Sequence, residues 1–377
     1  SVNVKVHGRG ILCGVKQEFH YDGLPQLCEL EPWNYRTNIH RGGHTTVEGI
    51  TLLNSFNHNL AVGTHSLVKD VKFIAWKVNN DGIRSGDFSV VDHCFMKVSD
   101  DHLYAFSDTL IRRCLFWPMW NGAILQLGWG SYGGSGTRFV NNDIINPEWN
   151  QWWYNNGVIA SQVHPNSQNS DILIQDLRIE GDINALANLH FNSGSRGTGP
   201  WSGFIKDITF RNVTVEGRQL WMNGQEGWYE TIPDDIQFEV IPEAPVRQGR
   251  SLIKGHQDKA GNKAFIHHVV FENVKVNGEV LTEANHDRYV DVDDATTHDI
   301  RFIETQNYDS HLSVRPGQKR SDDYTKENLG AGSYPTSVEK PWRASNAGWL
   351  AADTACSWTV DLPKEGLYDL KISIACG

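Results

Sequence analysis

A degenerate repeat of about 20 to 24 residues runs through most of this chain, and few folds accommodate such a repeat. Each unit carries an apolar, β-branched run ending near Asn, Asp or Gly. Val47-Glu48-Gly49-Ile50-Thr51-Leu52, Val68-Lys69-Asp70-Val71-Lys72-Phe73 and Val90-Val91-Asp92-His93-Cys94-Phe95 follow one another at that spacing. Ile205-Lys206-Asp207-Ile208-Thr209-Phe210 and Ile266-His267-His268-Val269-Val270-Phe271 repeat it later, and His298-Asp299-Ile300-Arg301-Phe302 closes the series. No amphipathic helix separates the units. A β-sandwich would show the close, regularly spaced turn signals of successive hairpins. Strands recurring once per coil-length repeat instead bury their apolar face by stacking coil on coil. The expected fold is all-β, a right-handed parallel β-helix over residues 1–310. Residues 311–335 read as a polar linker. Residues 336–377, with Trp349 and Leu367-Tyr368-Asp369-Leu370, read as the first strands of a β-sandwich-type module, of a kind that could bind carbohydrate. The sequence starts at Ser1 without a Met or signal pattern and stops mid-pattern at Gly377, so it reads as cut from something longer.

Composition narrows the partners. A net charge of −11 argues against nucleic acid, whose phosphates require a positive surface. No apolar run is long enough to provide a membrane span. Fourteen Trp exceed what core packing asks of this length, and an indole face is a good platform for the apolar face of a sugar ring. The cysteines, at 13, 28, 94, 114, 356 and 376, match no zinc spacing. Cys13 with Cys28 and Cys356 with Cys376 suit disulfides of a secreted protein. Cys94 and Cys114, one coil apart, should stack inside the solenoid. Asn212-Val213-Thr214 is a glycosylation sequon. These features together point to an extracellular location.

Two segments on neighbouring coils carry the chemistry. Trp76-Lys77-Val78-Asn79-Asn80-Asp81-Gly82-Ile83 is followed by Val98-Ser99-Asp100-Asp101-His102-Leu103-Tyr104. The separation of Asp81 and Asp100 is close to one coil, which would bring their carboxylates onto one face. Crowded carboxylates cannot all ionise freely, so at least one should hold its proton. That is the arrangement an inverting glycosidase needs: one acid for the leaving oxygen and one carboxylate for water. Adjacent strand residues point to opposite faces, so Asp100 and Asp101 can share a cleft only at a bend. The bland alternative is that Asn-Asp-Gly is a turn and Asp-Asp a solvated corner.

The Asp-x18-Asp-Asp spacing, with Trp-x-x-Asn-Asn-Asp-Gly, Ser-Asp-Asp and Asn121-Gly122-Ala123-Ile124-Leu125-Gln126-Leu127-Gly128-Trp129, resembles glycoside hydrolase family 49, the dextranases and isopullulanases. The resemblance covers roughly residues 5–215. It implies a catalytic β-helix with Asp100 as general acid, Asp81 and Asp101 on the attacking water, and an inverted product, with no metal or other cofactor. That family would place a Lys shortly after the Asp pair, where this chain has Tyr104. The family 28 polygalacturonases share the three-carboxylate plan, but their Gly-His-Gly and Arg-Ile-Lys motifs do not occur here.

Around the acids, Trp129 and the run Trp152-Trp153-Tyr154 are candidate sugar platforms, although some of the nearby Trp must be core. Gln126 and Arg84 could bond sugar hydroxyls. Tyr104 and His102 follow the acid pair as candidate substrate-binding residues; His102 could tune the acids or be an exposed bystander. His164 is ambiguous, and His267-His268 within a repeat strand reads as structural. Asp291, Asp293, Asp294 and Asp299 could bind calcium through oxygen, yet a solvated turn fits them better. The favoured function is hydrolysis of an α-glucan such as dextran. A galactan or uronic-acid polymer is the nearest alternative, and a polysaccharide lyase or a binding-only solenoid the more distant one.

Overall fold

The computed structural model describes residues 3–14, 38–55, 57–76, 80–119, 122–130, 133–149, 157–191, 199–221 and 247–305. The expected linker and β-sandwich module lie outside these residues, as do Trp152, Trp153, Tyr154, Cys28, Cys356 and Cys376.

The described chain is a parallel β-helix. Its strands stack on three faces. On the first, Val47, Val68, Val91, Ile111, Phe139, Ile174, Phe210, Phe271 and Phe302 form a single column of in-register residues. The steps from Val47 to Val68, Val91 and Ile111 are shorter than every step from Ile111 onwards until Phe302, so the most compact coils lie in the N-terminal half. The first and second faces merge in later coils into long strands such as Phe204–Val215 and Lys263–Val276. The third face runs through Ile83–Arg84, Leu103–Tyr104, Ala123–Gly130, Gly157–Val163 and Ala187–Phe191.

Two corners per coil explain why Asn, Asp and Gly recur in the repeat. Two residues beyond the column stand Gly49, Asp70, His93, Arg113, Asn141, Asp176, Asn212 and Asn273, all with positive φ. Three residues before it stand His44, His65, Phe88, Asp108, Gly136, Asp171, Asp207, His268 and Asp299, again all with positive φ. The left-handed region suits glycine and short polar side chains that hydrogen-bond locally. Those side chains also bond along the stack: Asn273 Nδ2 donates to Asn212 Oδ1 at 3.3 Å, and Asn212 Nδ2 to Asp176 Oδ1 at 3.1 Å.

Between the corners the side chains turn inward. Phe210 and Phe271 stack at 4.8 Å, and Phe271 and Phe302 at 5.0 Å, which is the spacing of the coils themselves. Cys94 and Cys114 are buried at equivalent positions as free thiols, with Cys94 N–H donating to Cys114 Sγ at 3.5 Å. The expected cysteine stack is therefore present, without a disulfide.

Candidate active site

The site forms where the second face hands over to the third. Strand Phe95–Val98 ends, residues 99–102 turn, and strand Leu103–Tyr104 begins. Asp100 and Asp101 both lie in this turn, which frees them from strand alternation. Register fixes what stands beside them. Leu60 pairs with Ile83, Ile83 with Leu103, and Leu103 with Leu125. Two residues before these stand His58, Asp81, Asp101 and Ala123. The coil-equivalent of Asp81 is therefore Asp101, and not the preceding Asp100 to which the sequence spacing points. The same coil length carries Cys94 to Cys114, which flank the paired residues Phe95 and Leu115.

Asp81, Asp100 and Asp101 are 6%, 8% and 4% exposed, so all three carboxyls are largely withdrawn from water. Tyr104 Oη lies 2.5 Å from Asp81 Oδ2 and 3.1 Å from Asp101 Oδ2. The other oxygen of Asp101 accepts the Ala123 backbone N–H at 2.7 Å. Asp100 Oδ1 accepts the N–H of Asp101 at 2.9 Å. His58 Nδ1 stands 3.1 Å from Asp81 Oδ2, and its ring lies 5.8 Å from that of Tyr104.

Electrostatics follow from this crowding. Burial, joined by the neighbouring Asp81 charge, pushes the Asp101 carboxyl up to about 7, although the Ala123 N–H, the Tyr104 hydroxyl and His58 pull the other way. Burial alone would lower His58, but the charge and contact of Asp81 outweigh it and raise the imidazole above its ordinary value. Burial and the three acids push the Tyr104 phenol well above its usual range, so it remains a hydrogen-bond donor.

Gly122 completes the turn from the next coil. At φ +81° its backbone passes so close that a Cβ would sit 2.4 Å from Asp101 N and 2.5 Å from the Asp100 carbonyl carbon. Trp149, 4% exposed, closes over this point, its Nε1 donating to Gly122 O at 3.2 Å.

The remaining expectations separate by face. Ile83, Leu103, Leu125 and Ile159 point into the core, which leaves the alternate column Arg84, Tyr104, Gln126 and Ala160 on the acid side. Gln126 is fully buried there, and neither its amide oxygen nor its nitrogen has a hydrogen-bond partner among the described residues. Such an amide is costly to leave unpaired. Arg84 is half-buried and near enough to His58 to oppose its charge.

His102 is not the exposed bystander that its place after the acids allowed. It is fully buried, packs edge-on against Phe116 at 5.8 Å, and burial drives it down to about 4. Its ring therefore packs on the core side of the wall in its neutral form. Trp129 lies in strand Ala123–Gly130, where its side chain is outside the described residues.

Elsewhere, the acidic cluster divides: Asp293 and Asp294 lie in a turn, while Asp291 and Asp299 lie in strands Val290–Val292 and Thr297–Ile303. Asp293 accepts from Thr296 Oγ1 at 2.6 Å and from the Ala295 N–H at 3.2 Å, while Asp299 meets Arg301 at 2.5 Å. Sequence reasoning missed His58. Its signal was present, two residues before Leu60 as Asp81 is before Ile83, but only register makes that visible.

No protein-family model matches the chain, and no curated protein does. Among solved structures it resembles Dex49A from Penicillium minioluteum, with a TM-score of 0.51 and 16% identity over 70% of this chain and 43% of that one. It also matches the Agl-KA catalytic domain, with a TM-score of 0.40 and 14% identity over 69% of this chain and 42% of that one. The chain thus spans less than half the length of each of these two structures. What the likeness to Dex49A establishes is the architecture: this chain is a parallel β-helix of the same fold as Dex49A.

Proposed function

We propose that the chain is a polysaccharide hydrolase that works by single displacement with inversion, and that its substrate is an α-glucan such as dextran. The observation that carries this reading is the meeting of Asp81 and Asp101 on one tyrosine hydroxyl, in a buried turn that also holds Asp100. Their Oδ2 atoms cannot be farther apart than the sum of the two contacts to that hydroxyl. That falls short of the ~6.5–9.5 Å separating the acid and base of an inverting glycosidase. Asp81 and Asp101 therefore belong on the same side of the scissile bond, as holders of the water, and the acid role falls to Asp100.

In this mechanism Asp100 gives its proton to the glycosidic oxygen as the C–O bond breaks. Water attacks the anomeric carbon from the opposite side and passes its proton to ionised Asp81. The unpaired amide of Gln126 and the guanidinium of Arg84 bond sugar hydroxyls along the same face, while Trp129, Trp152, Trp153 and Tyr154 offer aromatic platforms. The chain's own side chains supply every proton transfer, and the reaction suits a protein acting outside the cell on a polymer.

The test is a panel of dextran, other α-glucans, galactan and polygalacturonate, assayed for new reducing ends with the wild type and Asp100→Asn. Cleavage of an α-glucan, with kcat lowered about 10²–10⁴-fold in D100N, is expected. No cleavage of any polymer, or a fully active D100N, would overturn the reading. Unsaturated uronate products would point to a lyase instead.

A further inference from the structure

We propose that His58 and Tyr104 are positioning residues that make Asp81 and Asp101 an unequal pair, with Asp81 the ionised member and Asp101 carrying a proton on Oδ2 directed at the tyrosine oxygen. The inference deepens the hydrolase reading and rests on it for its catalytic consequence, though the proton arrangement itself can be read without a substrate.

A tyrosine hydroxyl has one proton and can give it to only one carboxylate at a time, yet Tyr104 Oη lies within bonding distance of two. The shorter contact, 2.5 Å to Asp81 Oδ2, takes that proton. Its 3.1 Å contact to Asp101 Oδ2 is then satisfied only if Asp101 donates and the phenol oxygen accepts. Asp101 Oδ1 is committed as an acceptor to the Ala123 N–H at 2.7 Å, so a proton on Asp101 belongs on Oδ2, facing Tyr104. A Phe at 104 would leave that proton without an acceptor and the two carboxyls in direct opposition.

His58 settles which carboxyl is the anion. It approaches Asp81 Oδ2 at 3.1 Å from the preceding coil, on the side away from Asp101. Burial of the pair magnifies the preference, since an unpaired charge there would be costly. Among the described residues, the charged and titratable groups facing this cluster are His58 and Arg84 as cations, neutral His102 from the core side, and Asp81, Asp100, Asp101 and Tyr104 as acids. Arg84 opposes His58, so the imidazole acts through contact with Asp81 and not through a generally negative surrounding. The upward displacement of His58 and of Asp101 agrees with this geometry. For the reaction, the water would meet one defined base, Asp81, beside one neutral carboxyl.

The experiment is an NMR titration of the full chain, with ¹³C in the histidine rings and aspartate carboxyls. The His58→Gln and Asp101→Asn variants assign the two signals. In the wild type His58 should titrate above the ordinary histidine value and Asp101 near 7. In Asp81→Asn both should move down. Tyr104→Phe should lower kcat at least tenfold with KM nearly unchanged, and His58→Gln should displace the pH–rate profile, which a merely structural loss would scale without moving. Asp101 titrating in the ordinary carboxylate range, or a His58 signal indifferent to D81N, would overturn the proposal. If the wild type cleaves no polymer, the hydrolase reading fails while the titrations still decide the proton arrangement.

Discussion

Asp101 shows how a single buried carboxyl ties function to stability. Its folded value, about 7, lies above the ordinary 3.8, so folding favours its protonated form. The stability this confers is complete below the ordinary value and is lost as pH rises towards 7. His58, also raised, loses its contribution in the same direction as pH passes its folded value. Asp101→Asn, which is neutral at every pH, should therefore gain on the wild type as pH rises from the ordinary carboxylate value through 7, as measured by urea unfolding. A pH-independent difference would show that Asp101 ionises normally. At this scale the three aspartates were legible because acidic residues one coil apart are conspicuous in sequence. Their pairing was not, because Asp100 and Asp101 both lie near one coil from Asp81 and only hydrogen-bonded register distinguishes them. His58 was illegible for the same reason. His102 misled because adjacency in sequence says nothing about which side of the wall a residue faces.

The corner is the element on which the site depends. The two left-handed positions per coil were visible as recurrent Asn, Asp and Gly, although the sequence alone could not say that each is a turn of the solenoid wall. Asn212→Val places a β-branched residue at φ +52° and removes the amide bridging Asp176 and Asn273. A loss of roughly 2–3 kcal/mol is expected, the ~1–2 kcal/mol of left-handed geometry joined by the lost amide hydrogen bonds. Thermal unfolding would measure it, and a change under about 0.5 kcal/mol, the size of a neutral surface substitution, would count against the ladder. Gly122→Ala is a sharper case. The added methyl would press on the backbone of Asp100 and Asp101, so activity should fall further than stability. Comparison of kcat/KM with the unfolding midpoint tests this, and parallel losses would mean that the glycine serves only the fold.

Across the molecule, stability is that of a stack in which each coil supports only its neighbours. Phe271 is fully buried between Phe210 and Phe302. Phe271→Ala should cost about 3–5 kcal/mol in denaturant unfolding, although the turn of Asp100 and Asp101 lies several coils away and the pH profile of activity should be unaltered. The solenoid was the most legible feature of all, because a period repeated over most of the chain averages out local ambiguity. The expectations on Trp152, Trp153 and Tyr154 lie outside the described residues, in a stretch of sequence that the repeat does not constrain. The central claim, that Asp81 and Asp101 share one side of the bond and Asp100 faces them from the other, is tested most directly by the anomeric configuration of the first product released, followed by ¹H NMR before mutarotation. An α-linked substrate should yield the β-anomer. A first product of α configuration would contradict the account, since Asp81 and Asp101 would then be the close acid and nucleophile of a retaining enzyme, about 5–5.5 Å apart.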